Sequence, residues 1–210
     1  MSDTFALYVF DRAFESRVSG RVIGIDEAGR GPLAGPVVAA AVILDLQKPI
    51  DCVNDSKKIA PRKRARLFDA ICGGAVAWAV GEASHEEIDR YNILQATFLA
   101  MKRAIDGIRE TWAMALIDGN QYIPALARPL QQPVVKGDGK SASIAAASIV
   151  AKVTRDRIME RYHRLYPGWD FSVHKGYPTE RHCRRIEELG LCDIHRRSFC
   201  KKFSEEKRCI

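Results

Sequence analysis

No apolar run in this chain reaches the ~18 residues that a membrane-spanning helix needs, so no membrane partner is expected. The first residues, MSDTFALYVFDRAFESR, carry acids and arginines through any would-be apolar stretch. They do not read as a signal peptide. The six cysteines (Cys52, Cys72, Cys183, Cys192, Cys200 and Cys209) include no C-x-x-C pair. His182, Cys183, Cys192, His195 and Cys200 are too irregularly spaced for a zinc ribbon or finger. A cytoplasmic protein with free thiols is the resulting expectation. There is no internal repeat and no low-complexity segment. A phosphate loop is also excluded: Gly139-Lys140-Ser141 would need a glycine five residues before Gly139, and Val134 stands there.

What is there is a basic chain of ordinary apolar content. Its 210 residues are 47% apolar and carry 33 Lys and Arg against 26 Asp and Glu, a net charge of +7. That length gives one domain with a substantial core, and that charge suits a polyanionic partner. We read 1–20 as a lead-in, 21–200 as the functional domain and 201–210 as a basic tail.

The most informative stretch is Arg21 to Leu44. The apolar run Val22-Ile23-Gly24-Ile25 ends in adjacent acids, Asp26 and Glu27. The small-residue loop Ala28 to Pro36 follows, then a second apolar run from Val37. We read strand, loop, strand. Neighbouring strand residues point to opposite faces. The two acids can therefore share a site only near a strand end, at a bulge, or around two ions. Burying them costs hydration and sets them against each other, and a cation would offset both costs. Gly29 and Gly31 leave the backbone bare on each side of Arg30, so a bulky anion can approach closely.

The rest alternates helices with short strands. Pro61 opens a helix that ends at Cys72-Gly73-Gly74, with Leu67, Phe68 and Ile71 as its apolar stripe. Its basic face (Arg62, Lys63, Arg64, Arg66) suits solvent and phosphate equally. Ala75 to Glu82 reads as a strand with Val76, Trp78 and Val80 on one side. Ser84 and Glu87 form a capping box. The helix that they open runs to about Ile108 and presents Ile88, Tyr91, Leu94, Phe98, Met101 and Ile105 to the core. Ala113 to Ile117 is a strand buried on both faces and ends in Asp118. Residues 121–132 are an irregular connection. Val134-Val135-Lys136 is a further short strand, leading to Asp138. Ser141 or Ser143 caps a helix over 144–165. The loop Phe171 to Pro178 can place Tyr177 against a nucleotide or hold it as a structural residue. A last helix runs from Pro178 or Thr179 to Gly190. This order gives an α/β domain with a mixed sheet and helices on both faces.

Asp26, Glu27, Asp118 and Asp138 thus share one property: each lies at the end of a short apolar strand. If those ends are neighbours, four acids converge, a set suited to hard cations that also keep waters and substrate phosphates. Two such ions about 4 Å apart activate a water and stabilise the leaving oxygen of a phosphodiester. Asp156 is a competing acid, but its flanking Arg155 and Arg157 favour an ion pair.

In order along the chain stand DEAGRGPLAGPV, NDSKK, YNIL, IDGN, VVKGD, ASIVAKVTRDR, HKGYPT and HRRSF, covering roughly residues 20–200. This series resembles the ribonuclease HII family. The resemblance implies a ribonuclease H-like mixed sheet flanked by helices, with a helical C-terminal extension. It implies a metal-dependent endonuclease that hydrolyses the RNA strand of RNA–DNA hybrids, nicks 5′ to ribonucleotides embedded in duplex DNA, and leaves 5′-phosphate and 3′-hydroxyl ends. The cofactor implied is Mn²⁺ or Mg²⁺ in a two-metal site formed on substrate binding. The implied ligands are Asp26, Glu27, Asp118 and Asp138. The implied readers of the 2′-hydroxyl are Gly29, Arg30, Gly31 and Tyr177, and Lys57 and Lys175 join them as substrate-binding candidates. A monomer is expected. The alternative is a non-catalytic hybrid-binding protein of the same fold, which would be expected to lose one or more of the four acids. The segment Gln121 to Gln132 and the run Cys200-Lys201-Lys202-Phe203 depart from the family pattern.

Overall fold

The computed structural model describes residues 3–51, 53 and 60–205. Its elements are helix α1 (Asp3–Val18), strands β1 (Val22–Ala28) and β2 (Val37–Ile43), helix α2 (Pro61–Gly74), strand β3 (Ala77–Ala83) and helix α3 (His85–Asp106). Strands β4 (Met114–Asp118) and β5 (Gln131–Val134) follow, then helices α4 (Ala142–Leu165), α5 (Phe171–His174), α6 (Glu180–Leu189) and α7 (Lys201–Glu205). The sheet order is β3-β2-β1-β4-β5. β1 pairs antiparallel with β2 and parallel with β4, so the sheet is mixed. Among the described residues no helix is long and apolar enough to cross a membrane.

Strand alternation divides the core in two. Ile23 and Ile25 face α3 with Val37, Ala39 and Ala41. Ala40 and Val42 face α4, α1 and α2. The run of small residues from Ala145 to Ala151 lets α4 lie directly on the sheet. Gly24 is the point of closest approach: a Cβ there would stand 2.1 Å from the backbone of Ser143. On the other face Gly81 does the same for α3, where a Cβ would meet the Ala100 carbonyl at 2.3 Å.

Several boundaries fall as the sequence predicts. Pro61 opens α2. Ser84 and Glu87 bond reciprocally in the expected capping box. Of the two candidate caps for α4 it is Ser141 that accepts, from Ile144 N–H at 3.2 Å. Other details differ. The lead-in holds a 16-residue helix, α1, with Tyr8 buried and Asp11 accepting from Ser143 N–H at 2.8 Å. In β3 the side carrying Trp78 and Val80 is the more exposed one. The small side (Ala77, Ala79, Gly81, Ala83) meets α3, because only small residues let an edge strand and a helix come so close. Helix α3 is interrupted at Asn92, φ 68°, whose Oδ1 accepts from the N–H of Leu94 and Gln95 and caps a second helical stretch. The break shifts the helical phase and turns Tyr91 outward. The fifth strand lies at 131–134, not 134–136. The buried Gln131 amide holds the preceding connection through Ile123 and Leu126, and Lys136 adopts a left-handed conformation, φ 56°.

Candidate active site

The register places the acids. Ile25 stands opposite Ile117 in the β1–β4 pair, so Asp26 and Asp118 come one step beyond, at the same end of the sheet. Asp118 in turn pairs with Val134 of β5. The turn Gly137–Gly139 follows and contains the buried Asp138. Asp118 Oδ1 accepts the Gly137 N–H at 2.7 Å, which fixes that turn against β4. Asp26, Glu27 and Asp118 thus stand at the ends of neighbouring strands, with Asp138 on the turn that is fixed to Asp118.

Asp26 and Glu27 still obey the pleat. Asp26 points toward α4, where the Ser148 hydroxyl bonds it, and lines a cavity of about 240 Å³ with Gly29, Arg30, Gly31, Lys152 and Tyr177. Glu27 lines that cavity too, and also a smaller one of about 40 Å³ on the α3 side, together with Asp118 and Asn120. The two adjacent acids thus flank the strand end, and Glu27 lines both spaces.

The electrostatics are those of buried acids set against one another. Asp26 is 5% exposed. Burial, then the charges of Glu27 and Asp118, hold its carboxyl well above the usual range. The Glu27 N–H, 2.7 Å from Asp26 Oδ1, and the Ser148 hydroxyl oppose that shift. An added cation would offset the repulsion. Arg30 approaches Glu27 at 3.5 Å but is half exposed. Among the described residues no three acid, histidine or cysteine side chains close on one point. An ion here would therefore complete its shell with water and substrate oxygens, the habit of Mg²⁺.

The loop between β1 and β2 meets the segment around Tyr177. A Cβ on Gly31 would lie 3.8 Å from Tyr177 Cε1, so the edge of the tyrosine ring stands beside this glycine. The Leu33 N–H donates to the Gly176 carbonyl at 2.8 Å. Gly29, Arg30, Gly31 and Tyr177 therefore line one cavity. What holds them was not foreseen from the sequence. Arg155 and Arg196 are both fully buried. Arg196 donates to the carbonyls of Gly29, Arg30 and Gly35 at 2.6, 3.0 and 2.9 Å. Arg155 donates to those of Pro36, Ala34 and Lys175 at 3.0, 3.1 and 3.0 Å. A signal existed: Arg155 follows Ser148 and Ala151 at helical spacing, in phase with the buried side of α4.

One other candidate lies elsewhere. The Lys175 ammonium bonds Glu160 and the Ser172 carbonyl and is not among the residues lining the cavity. Lys57, with the rest of Asn54 to Lys58, lies outside the described residues. Asp156 is ion-paired as expected, but with Lys152 at 2.7 Å and Arg64 at 3.9 Å.

Comparison with known proteins agrees with this geometry. The family model described as Ribonuclease HII matches residues 23–202. Ribonuclease HII from Dechloromonas aromatica is 57% identical over 180 residues, 86% of this chain and 91% of that one. Ribonuclease HII 1 from Methylibium petroleiphilum is 55% identical over 177 residues, 84% and 88% of the two chains. Among solved structures, ribonuclease H2 from Pyrococcus horikoshii superposes with a TM-score of 0.73 at 26% identity, covering 90% of this chain and all of that one. With cover this complete, the chain belongs to the ribonuclease HII family.

Proposed function

We propose that this chain is a divalent-cation-dependent endoribonuclease that cuts the RNA strand of RNA–DNA hybrids and nicks duplex DNA on the 5′ side of an embedded ribonucleotide. Endoribonuclease activity follows from the family. The finer reading rests on one observation: the Tyr177 ring stands beside Gly31 in the cavity that Asp26 also lines. A sugar resting on Tyr177 has bare backbone beside it and Asp26 and Glu27 within the same space. That arrangement suits recognition of a 2′-hydroxyl, the group that separates RNA from DNA.

In this reading Asp26, Glu27, Asp118 and Asp138 hold the cations, Mg²⁺ or Mn²⁺. When bound, such ions activate the attacking water and stabilise the leaving oxygen. The chain's own residues do the rest. Gly29, Arg30 and Gly31 approach the backbone of the nucleic acid, Tyr177 supports the ribose, and Lys152 adds positive charge at the cavity wall. The test is cleavage of a DNA duplex carrying one ribonucleotide, with Mg²⁺ and with Mn²⁺, by the wild type and by Asp118→Asn. A nick 5′ to the ribonucleotide, lost in the variant, is expected. Cutting of long hybrid alone would remove the role given to Arg30 and Tyr177. Tight hybrid binding with no cleavage would leave a binding protein.

A further inference from the structure

Tyr177 stands beside a cluster that the reading above does not use. His174, His182 and His195 are all buried, at 6%, 0% and 1% exposure. Their hydrogen bonds fix the ring protons, since a ring nitrogen that receives an N–H carries none itself. The Cys192 N–H donates to His195 Nδ1 at 2.9 Å, a shorter contact than the 3.3 Å from the same nitrogen to the Cys192 carbonyl. His195 therefore carries its proton on Nε2 and donates to His182 Nε2 at 3.1 Å. His182 in turn carries its proton on Nδ1 and donates to the Tyr177 carbonyl at 3.0 Å. His174 accepts the Gly176 N–H on Nδ1 and donates from Nε2 to the Trp169 carbonyl at 2.7 Å. Its ring stacks on His182, centroids 4.2 Å apart and 16° from parallel.

The result is a one-way relay from Cys192 to Tyr177. It is also anchored to the glycine loop, because His195 forms an isolated bridge with Ala34 and the Gly35 N–H donates to the Ile194 carbonyl at 2.9 Å. The relay thus spans the gap between the two elements that meet beside Gly31. We propose that His182, oriented by His195, is a positioning residue for Tyr177 and sets the preference for a single embedded ribonucleotide over a long hybrid. This rests on the role given to Tyr177 above. An apolar pocket would support the tyrosine's α-carbon as well, but it would not aim it. A donor fixed on the carbonyl sets the tilt of the peptide, and with it the position of the ring beside Gly31.

The test compares His182→Asn, His182→Gln and His182→Phe. An asparagine amide can replace the Nδ1 donor. Glutamine reaches the Nε2 position only, and phenylalanine keeps shape without polarity. The readout is the ratio of kcat/KM on the single-ribonucleotide duplex to that on a long hybrid, with KM and kcat separated. Losing one oriented hydrogen bond is a change of up to about tenfold. The ratio is expected to fall by roughly that factor, mainly through KM, in Gln and Phe, and to stay within about threefold of wild type in Asn. Unchanged ratios in Gln and Phe, or Asn as impaired as Phe, would overturn the proposal. Should the variants not fold, the ring ¹⁵N spectrum of the wild type decides. His182 protonated on Nδ1 and His195 on Nε2 supports the relay, and the opposite tautomers reject it. If the wild type cuts neither substrate, it is the functional reading that fails, while the tautomers still report on the relay.

Discussion

Asp118 accepts the backbone N–H of Gly137 at 2.7 Å and so fixes the turn that carries Asp138. One carboxylate thereby has two tasks, holding the neighbouring acid in place and contributing charge to the site. Asparagine at 118 keeps an oxygen for the Gly137 N–H and drops the charge. Asp118→Asn is expected to cut activity at least about a hundredfold, no less than the loss of an outer-shell metal partner, with little change in thermal midpoint. Asp118→Ala also strands the Gly137 N–H, and should cost a further ~1–3 kcal/mol. Single-turnover cleavage and urea unfolding separate the two effects.

Asp26 should trade stability for function. Its carboxyl is buried and repelled by Glu27 and Asp118. Asp26→Asn should raise the denaturation midpoint in cation-free buffer, because the repulsion is gone, and abolish cleavage. Mg²⁺ or Mn²⁺ should raise the midpoint of the wild type in a saturable way, as any ligand of the folded state does, and should raise that of the variant far less. Calorimetry with and without the cation checks both. Equal shifts in the two proteins would place the ions elsewhere.

Much of this was legible in the sequence, and the limits are physical. The acids stood out because an acid at the end of an apolar strand breaks the hydrophobic pattern. The capping box of α3 and the proline that opens α2 are local signals, decided within a few residues. Asn92 shows where that locality fails: nothing near it demands φ 68°, and only the fold makes the helix restart there. The phase of α4 marks Arg155 as a buried position, but what Arg155 and Arg196 support was not legible, for a further reason. Their partners are backbone carbonyls up to 167 positions away, and a carbonyl leaves no mark in a sequence. The reversed faces of β3 come from the same source, since the small residues of an edge strand say nothing of the helix laid against them.

Gly29 is placed under two constraints at once. Its φ is +102°, and a Cβ would fall 2.1 Å from Arg155 Nε and 2.9 Å from the Pro36 carbonyl. Gly29→Ala should therefore cost at least ~1–3 kcal/mol through the backbone alone. It should also displace the Arg155 side chain that holds Pro36 and Ala34. Urea denaturation is expected to show the loss, and activity on the single-ribonucleotide duplex should fall further than activity on a long hybrid.

Arg196→Lys tests the second support. The guanidinium spreads three bonds over Gly29, Arg30 and Gly35, a fork that a lysine cannot reproduce. Burial and the nearby Arg155 push its pKa down to about 9, so the site already strains to keep a cation. Losing two of three charge-assisted bonds should cost roughly 3 kcal/mol or more at ~1.5–3 each. Unfolding curves at pH 7 measure this. A lysine variant as stable as wild type would mean that the carbonyls find other donors.

The histidine relay makes acid stability a sharp test. Burial lowers His182 and His195 from an ordinary 6.5 to about 4. Between those values the unfolded chain binds protons that the folded chain does not. Their contribution is therefore complete above pH 6.5 and is lost as the pH falls toward 4. At 1.36 kcal/mol per unit, each is worth roughly 3 kcal/mol at the acid end. Asp11 acts in the opposite sense. Burial raises it from 3.8 to about 6, so the folded chain binds the extra proton between those values and gains stability on acidification. Asp26, also raised, adds to that gain. In the wild type the two trends partly cancel. Asp11→Asn removes one of the compensating groups, and the variant should lose stability more steeply than wild type between pH 6.5 and 4.5. Urea midpoints at pH 7, 5.5 and 4.5 decide it. Parallel curves for the two proteins would mean that Asp11 is ionised throughout, and a flat curve for the variant would mean that the relay accepts protons without opening.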